Sequence, residues 1–89
     1  MTEVAFSSSF KRAFKRRVQG SAVLEARFWE RFEIFQNNHF DQRRRTHKLS
    51  GRPKDLWSFS IEYDLRVVLS FLGGDRALFV DFGTHEEVY

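Results

Sequence analysis

The stretch Gly83, Thr84, His85, Glu86, Glu87, Val88 and Tyr89 contains the two side chains best suited to moving protons, His85 and Tyr89. An imidazole with an unperturbed pKa of about 6.5 exchanges protons near neutrality, and a phenol four residues later can donate to, or orient, the same phosphate. That pattern suits general acid/base work. It also suits a solvated His beside an aromatic terminal anchor, and on the residues alone this second reading carries more weight. Other chemistries lack support: there is no Walker loop, no GxGxxG, no HExxH and no Cys. Nucleotide hydrolysis, dinucleotide redox work and thiol catalysis therefore have no sequence case. His39, His47 and His85 lack the i,i+3 or i,i+4 spacing that sets two ligands on one helix face, so neither a metal site nor a cofactor is expected.

These residues sit in a chain of 89, room for one small domain with one core. Its apolar content is concentrated in 11 Phe and 2 Trp. Without Cys, folding rests on packing alone, as in a reducing cytoplasm, which is the expected location. No apolar run approaches the roughly 18 to 20 residues that cross a bilayer, and the start lacks the apolar core of a secretory signal. A soluble, unprocessed protein with no membrane partner is expected; the basic, aromatic stretch Phe10 to Arg17 is the weaker case for a membrane-surface helix or presequence.

Charge is strongly divided. Residues 1 to 54 hold 13 Lys or Arg against 5 Asp or Glu, a net of +8, whereas residues 55 to 89 hold 2 against 7, a net of −5. Eleven of the 15 cations are Arg, whose planar fork suits phosphate better than an ammonium does. Nucleic acid leads the partner classes, with a solvated basic surface as the plain alternative.

The periodicities predict the elements that position the pair. Val4 and Phe6 alternate with polar neighbours as a short strand. From Ser9, the spacing of Phe10, Phe14 and Val18 predicts an amphipathic helix that Gly20 stops, and Ser21 is suited to cap the next one. That helix is expected over about Ala22 to Gln36, with Leu24, Phe28, Phe32 and Phe35 on one stripe, ended by Asn37 and Asn38. A turn so short makes the two helices an antiparallel hairpin. His39 to Asp55 reads as a basic loop carrying Arg43, Arg44, Arg45, Lys48, Arg52 and Lys54. Trp57, Phe59, Ile61 and Tyr63 then alternate as the clearest strand. Asp64 and Leu65 allow a reversal, Arg66 to Leu72 reads as another strand, Gly73, Gly74 and Asp75 as a hairpin turn, and Ala77 to Phe82 as the last strand. The predicted class is α+β, in the order β-α-α-β-β-β, with a helical hairpin on a small, mainly antiparallel sheet.

Across the second half run Leu49, Ser50 and Gly51 before the clearest strand, Trp57 within it, Asp64, Arg66, Val67 and Val68 across the reversal, and Gly83, Thr84, His85 and Tyr89 at the end. In order and spacing this stretch, His47 to Tyr89, resembles the RelE superfamily of toxins from bacterial toxin–antitoxin pairs, and its RelE/YafQ branch most closely. The first half agrees in layout. The resemblance implies a single RelE-like domain that enters the ribosomal A site, cuts the messenger held there and so inhibits translation. In that reaction the ribose 2′-hydroxyl attacks its adjacent phosphate, which requires a base, an acid for the departing 5′-oxygen and positive charge on the transition state. By the same resemblance His85 and Tyr89 match the terminal catalytic pair and Arg66 the strand Arg; Asp64 and His47 match positions used in the YafQ branch. Where some members carry a second strand His this chain has Ser60, which is no base at neutral pH, so the acceptor of the 2′-proton stays open. Asp64 is also a natural turn residue, and His47 in a loop is as suited to holding RNA backbone as to proton transfer.

Arg43, Arg44, Arg45, Lys48, Arg52 and Lys54 fit docking onto ribosomal RNA, each expected to matter little alone. The implied partners are the ribosome with its bound mRNA and a cognate antitoxin, acidic and partly disordered until bound, whose helix is expected over the sheet or basic groove. Two other readings stand beside this one: a non-nucleolytic toxin of the same fold, like the gyrase-poisoning ParE branch, and a small basic nucleic-acid-binding module. The joint presence of Arg66, His85 and Tyr89 disfavours the former; the latter predicts that His85→Ala changes nothing.

Overall fold

The computed structural model describes residues 1–37, 46–49 and 55–88. The basic-loop readings for Arg43, Arg44, Arg45, Arg52 and Lys54, and the position of Tyr89, lie outside the described residues. In chain order the elements are β1 (Glu3–Phe6), α1 (Ser8–Val18), α2 (Ala22–Asn37), β2 (His47–Leu49), β3 (Leu56–Glu62), β4 (Leu65–Gly73), β5 (Arg76–Thr84) and α3 (His85–Val88). The strands form one sheet in the order β1-β5-β4-β3-β2. β1 runs parallel to β5 and every other pairing is antiparallel. This is the expected α+β layout with two elements added: β2 inside the stretch read as loop, and α3 after the last strand.

Side-chain oxygens start both long helices. The Ser7 hydroxyl accepts from the Phe10 amide at 3.0 Å and begins α1 one residue earlier than its apolar period suggests, while Ser21 accepts from the Leu24 amide at 3.2 Å, as expected. Between them Gly20 takes φ +79°, the left-handed conformation that ends α1. Lys15, Arg16 and Arg17 fill the last turn of α1, where exposed carbonyls favour cations.

Both helices pack their aromatic stripes against one face of the sheet. Phe10 and Ala13 of α1 and Phe28 and Phe35 of α2 are buried there, with Phe14, Val18, Leu24 and Phe32 at the margin. Phe79 of β5 lies at the centre, fully buried. The rings of Phe6, Phe10, Phe32, Phe35 and Phe59 surround it, with centroids 5.5 to 5.9 Å away and planes at 63° to 89°. These edge-to-face contacts add roughly 0.5–1.5 kcal/mol per pair beyond the area they bury. On the opposite face a smaller cluster joins Leu49, Val68 and Val88, flanked by Leu56 and Val80.

The β4–β5 turn falls where expected, with Gly73 drawn into the strand. Gly73 pairs with Arg76, leaving Gly74 and Asp75 as the loop with φ +57° and +60°, a type I′ turn. Asp75 also receives β1: its carboxylate accepts from the Thr2 hydroxyl and its carbonyl from the Glu3 amide, each at 3.0 Å. Among the described residues no helix is long and apolar enough to cross a membrane.

Phe79→Ala is expected to destabilise the fold by about 3–5 kcal/mol. Tyr63→Ala, on the exposed β3–β4 turn, should stay within about 0.5 kcal/mol. Chemical denaturation of both variants checks this, and similar midpoints would mean that the ring cluster does not centre the core.

Candidate active site

The site begins with β4, where alternate residues face opposite ways. Leu65, Val67 and Leu69 enter the helix-side core, so Arg66 and Val68 project to the other face. Strand register sets Ser60 of β3 on one side of Arg66 and Gly83 of β5 on the other. The half-buried guanidinium donates from Nη1 to the Ser60 hydroxyl at 3.1 Å. Ser60, which cannot act as a base at neutral pH, instead orients the cation. Such a fork, fixed at one end, suits phosphate oxygens.

Beyond Gly83 the chain turns into α3. The Thr84 amide donates to Glu87 Oε1 at 2.8 Å, and the Glu87 amide donates back to the Thr84 hydroxyl at 3.3 Å. This reciprocal capping box explains why a helix forms here. The spacing Thr84-x-x-Glu87 was the available sequence signal for α3. Arg17, from the last turn of α1, forms an ion pair with the same Glu87 oxygen. Gly83 sits at a close approach: a Cβ there would lie 3.0 Å from Glu87 Oε1 and 3.3 Å from Val88 Cγ1, so those side chains would have to give way.

His85 is the first residue of α3 and is exposed. Its amide donates to Asp64 Oδ1 at 3.4 Å. Asp64 thus serves as the turn residue the sequence suggested and also reaches into the site, where its carboxylate meets the main chain of His85. Its neighbour Tyr63 stands 97% exposed on the same turn, one residue beyond the end of the strand in which its alternation placed it.

His47 requires a correction. It lies on β2 rather than in a loop, paired with Ser58 of β3. With Leu49 on the same side of β2 in the far-face cluster, alternation turns His47 toward the face that carries Arg66. Two strand spacings and two residues of rise put the two Cα atoms roughly 12 Å apart. Lys48 alternates away and its Nζ pairs with Asp55 at 3.3 Å, an exposed bridge of little individual strength. Among the described residues no group of three or more His, Asp or Glu is placed to hold a metal ion. Arg66, His85, Asp64 and Ser60 therefore come together at one end of the sheet, and His47 shares their face.

This architecture, a helical hairpin on a five-stranded sheet with a short terminal helix, is the fold of the RelE/YafQ-type toxins. Among solved structures, a metal-bound toxin from Helicobacter pylori superposes over 100% of both chains with a TM-score of 0.77 and 20% identity. The E. coli DinJ-YafQ toxin-antitoxin complex contains a chain that matches 99% of this one and 97% of its own length, at TM-score 0.76 and 18% identity. A YoeB/ParE toxin from Agrobacterium tumefaciens matches over 94% and 99% at TM-score 0.70 and 16% identity. No protein-family model and no curated protein sequence matches the chain.

Gly83→Ala should crowd Glu87 and Val88 and cost about 1–3 kcal/mol, the usual range for overpacking. Hydrogen exchange should accelerate first at residues 84–88, and unchanged protection there would mean that α3 moves aside freely.

Proposed function

We propose that the chain is the toxin of a toxin–antitoxin pair and acts as a ribosome-dependent endoribonuclease on messenger RNA. The observation that carries this reading is Arg66, held by Ser60 on the face away from the core and one strand from the segment that presents His85. A phosphodiester on this face would meet a guanidinium held at one end, beside the segment that carries the His85 imidazole. In the reaction the 2′-oxygen bonds to phosphorus as its proton leaves, the bond to the 5′-oxygen breaks, and that oxygen takes a proton. Arg66 stabilises the extra negative charge of the phosphorane-like transition state. His85 carries one of the two proton transfers, with Tyr89 orienting the phosphate, and His47 and Asp64 are the candidates for the other. If the ribosome supplies part of the alignment, these groups on free RNA lack near-attack geometry and cut poorly.

The remaining partners follow from the same reading. The +8 half, with Arg43, Arg44, Arg45, Lys48, Arg52 and Lys54, docks on ribosomal RNA in a salt-dependent way. An acidic antitoxin is the cognate inhibitor, a reading supported by the charge of that half and by the toxin–antitoxin complex among the similar structures. The cytoplasm is where the ribosome, the antitoxin and a chain without Cys meet.

Primer extension on a messenger held in purified ribosomes tests the proposal. Wild-type protein should produce ribosome-dependent cuts in the A site. His85→Ala and Arg66→Ala should each slow cutting by about 10²–10³-fold without unfolding, and removal of Tyr89 should slow it as well. A wild-type protein that binds ribosomes and never cuts would overturn the nuclease reading, and gyrase inhibition would then be assayed.

A further inference from the structure

We propose that Glu87 is a positioning residue that fixes the main chain under His85 by clasping Thr84 to Arg17. The kinetic side of this inference rests on the endoribonuclease reading above; the structural side does not. Glu87 Oε1 accepts from the Thr84 amide at 2.8 Å and pairs with the Arg17 guanidinium of α1. The bare Cα of Gly83 lets the carboxylate approach, since a Cβ there would sit 3.0 Å from that oxygen. On the other side Asp64 Oδ1 takes the next amide, that of His85. Two successive amides are thus held by carboxylates from two different parts of the chain, a turn on one side and a helix tied to α1 on the other.

An exposed imidazole is aimed chiefly by its backbone, and a misplacement of about 1 Å at a reacting group can cost 10²-fold in rate. A free four-residue helix has no stability of its own. The clasp supplies what the helix lacks, and through Arg17 it refers the place of His85 to the core-packed helix α1. Glu86, exposed on the same turn, carries the same charge and serves as the control.

The full-length protein is compared as wild type, Glu87→Ala, Glu87→Gln, Arg17→Ala and Glu86→Ala. Two readouts are taken: maximal rate and half-saturating concentration for cutting of ribosome-held messenger, and amide hydrogen exchange at Thr84 and His85. Glu87→Ala should lower the maximal rate about tenfold or more with the half-saturating concentration unchanged, and should speed exchange of both amides about tenfold. Glu87→Gln, which keeps an acceptor for Thr84, should recover part of both losses. Arg17→Ala should resemble it, and Glu86→Ala should stay within about twofold of wild type. Wild-type cutting and protection in Glu87→Ala would overturn the proposal. A raised half-saturating concentration at unchanged maximal rate would overturn it too, making Glu87 a ribosome contact. If the wild-type chain never cuts, the nuclease reading fails separately and exchange alone decides: fast amides in Glu87→Ala but not in Glu86→Ala support the clasp, and equal rates refute it.

Discussion

The fold turns on a single extra residue in β5. Phe79 and Phe82 both enter the helix-side core, yet three positions apart a regular strand would point them to opposite faces. The register absorbs the conflict at Val80: Leu69 pairs with Phe79 and Val68 with Asp81, leaving Val80 as a bulge. Its carbonyl, displaced from the ladder, accepts from the Ser7 hydroxyl at 3.0 Å, and the same hydroxyl caps α1. Without the bulge, every residue after Phe79 would change sides, including the segment that leads to His85. Core packing and the direction of the candidate site are therefore set at one place.

Much of this was legible because it repeats. The Leu24, Phe28, Phe32 and Phe35 stripe and the Trp57 to Ile61 alternation repeat often enough to define their periods, and Gly73-Gly74-Asp75 contains residues that tolerate positive φ. β2 was illegible for a physical reason. Three residues show no period, and His47–Leu49 form a strand only because β3 offers them a partner. The break between Phe79 and Phe82 was visible but carries meaning only once the face of each ring is known. In the site, His85 and Tyr89 stood out by residue type. Arg66, Asp64 and His47 came from the family resemblance, because an Arg in a strand, an Asp in a turn and a His in a basic stretch are ordinary residues until register sets them on one face of the sheet. Arg17 could not be found by spacing at all, since its partner lies seventy residues away in the chain.

The division of charge acquires a structural sense as well. Arg17 with Glu87, Arg27 with Glu62 and Lys48 with Asp55 each join a cation of the basic half to an anion of the acidic half. Such pairs, partly or wholly exposed, contribute little stability individually. Their effect is to keep local charge balanced where the halves meet, while Lys11, Arg12, Lys15, Arg16 and Arg31 of the basic half are exposed. Ser58, fully buried between His47 and Val68, and Ser60 keep the far face low and polar around Arg66.

The pairing of β1 with β5 joins the two ends of the described chain. Thr2 and Asp75 bond across 73 positions, and Ser7 and Val80 across another 73. As the chain leaves the ribosome, its first strand has no neighbour until Arg76–Thr84 have been made, and the Phe stripes of both helices have no sheet to cover them. Synthesis of this domain thus passes through an interval in which its most apolar surfaces lack their cover. The closing contacts form last, so a nascent chain truncated before β5 would lack both the completed core and the segment bearing His85.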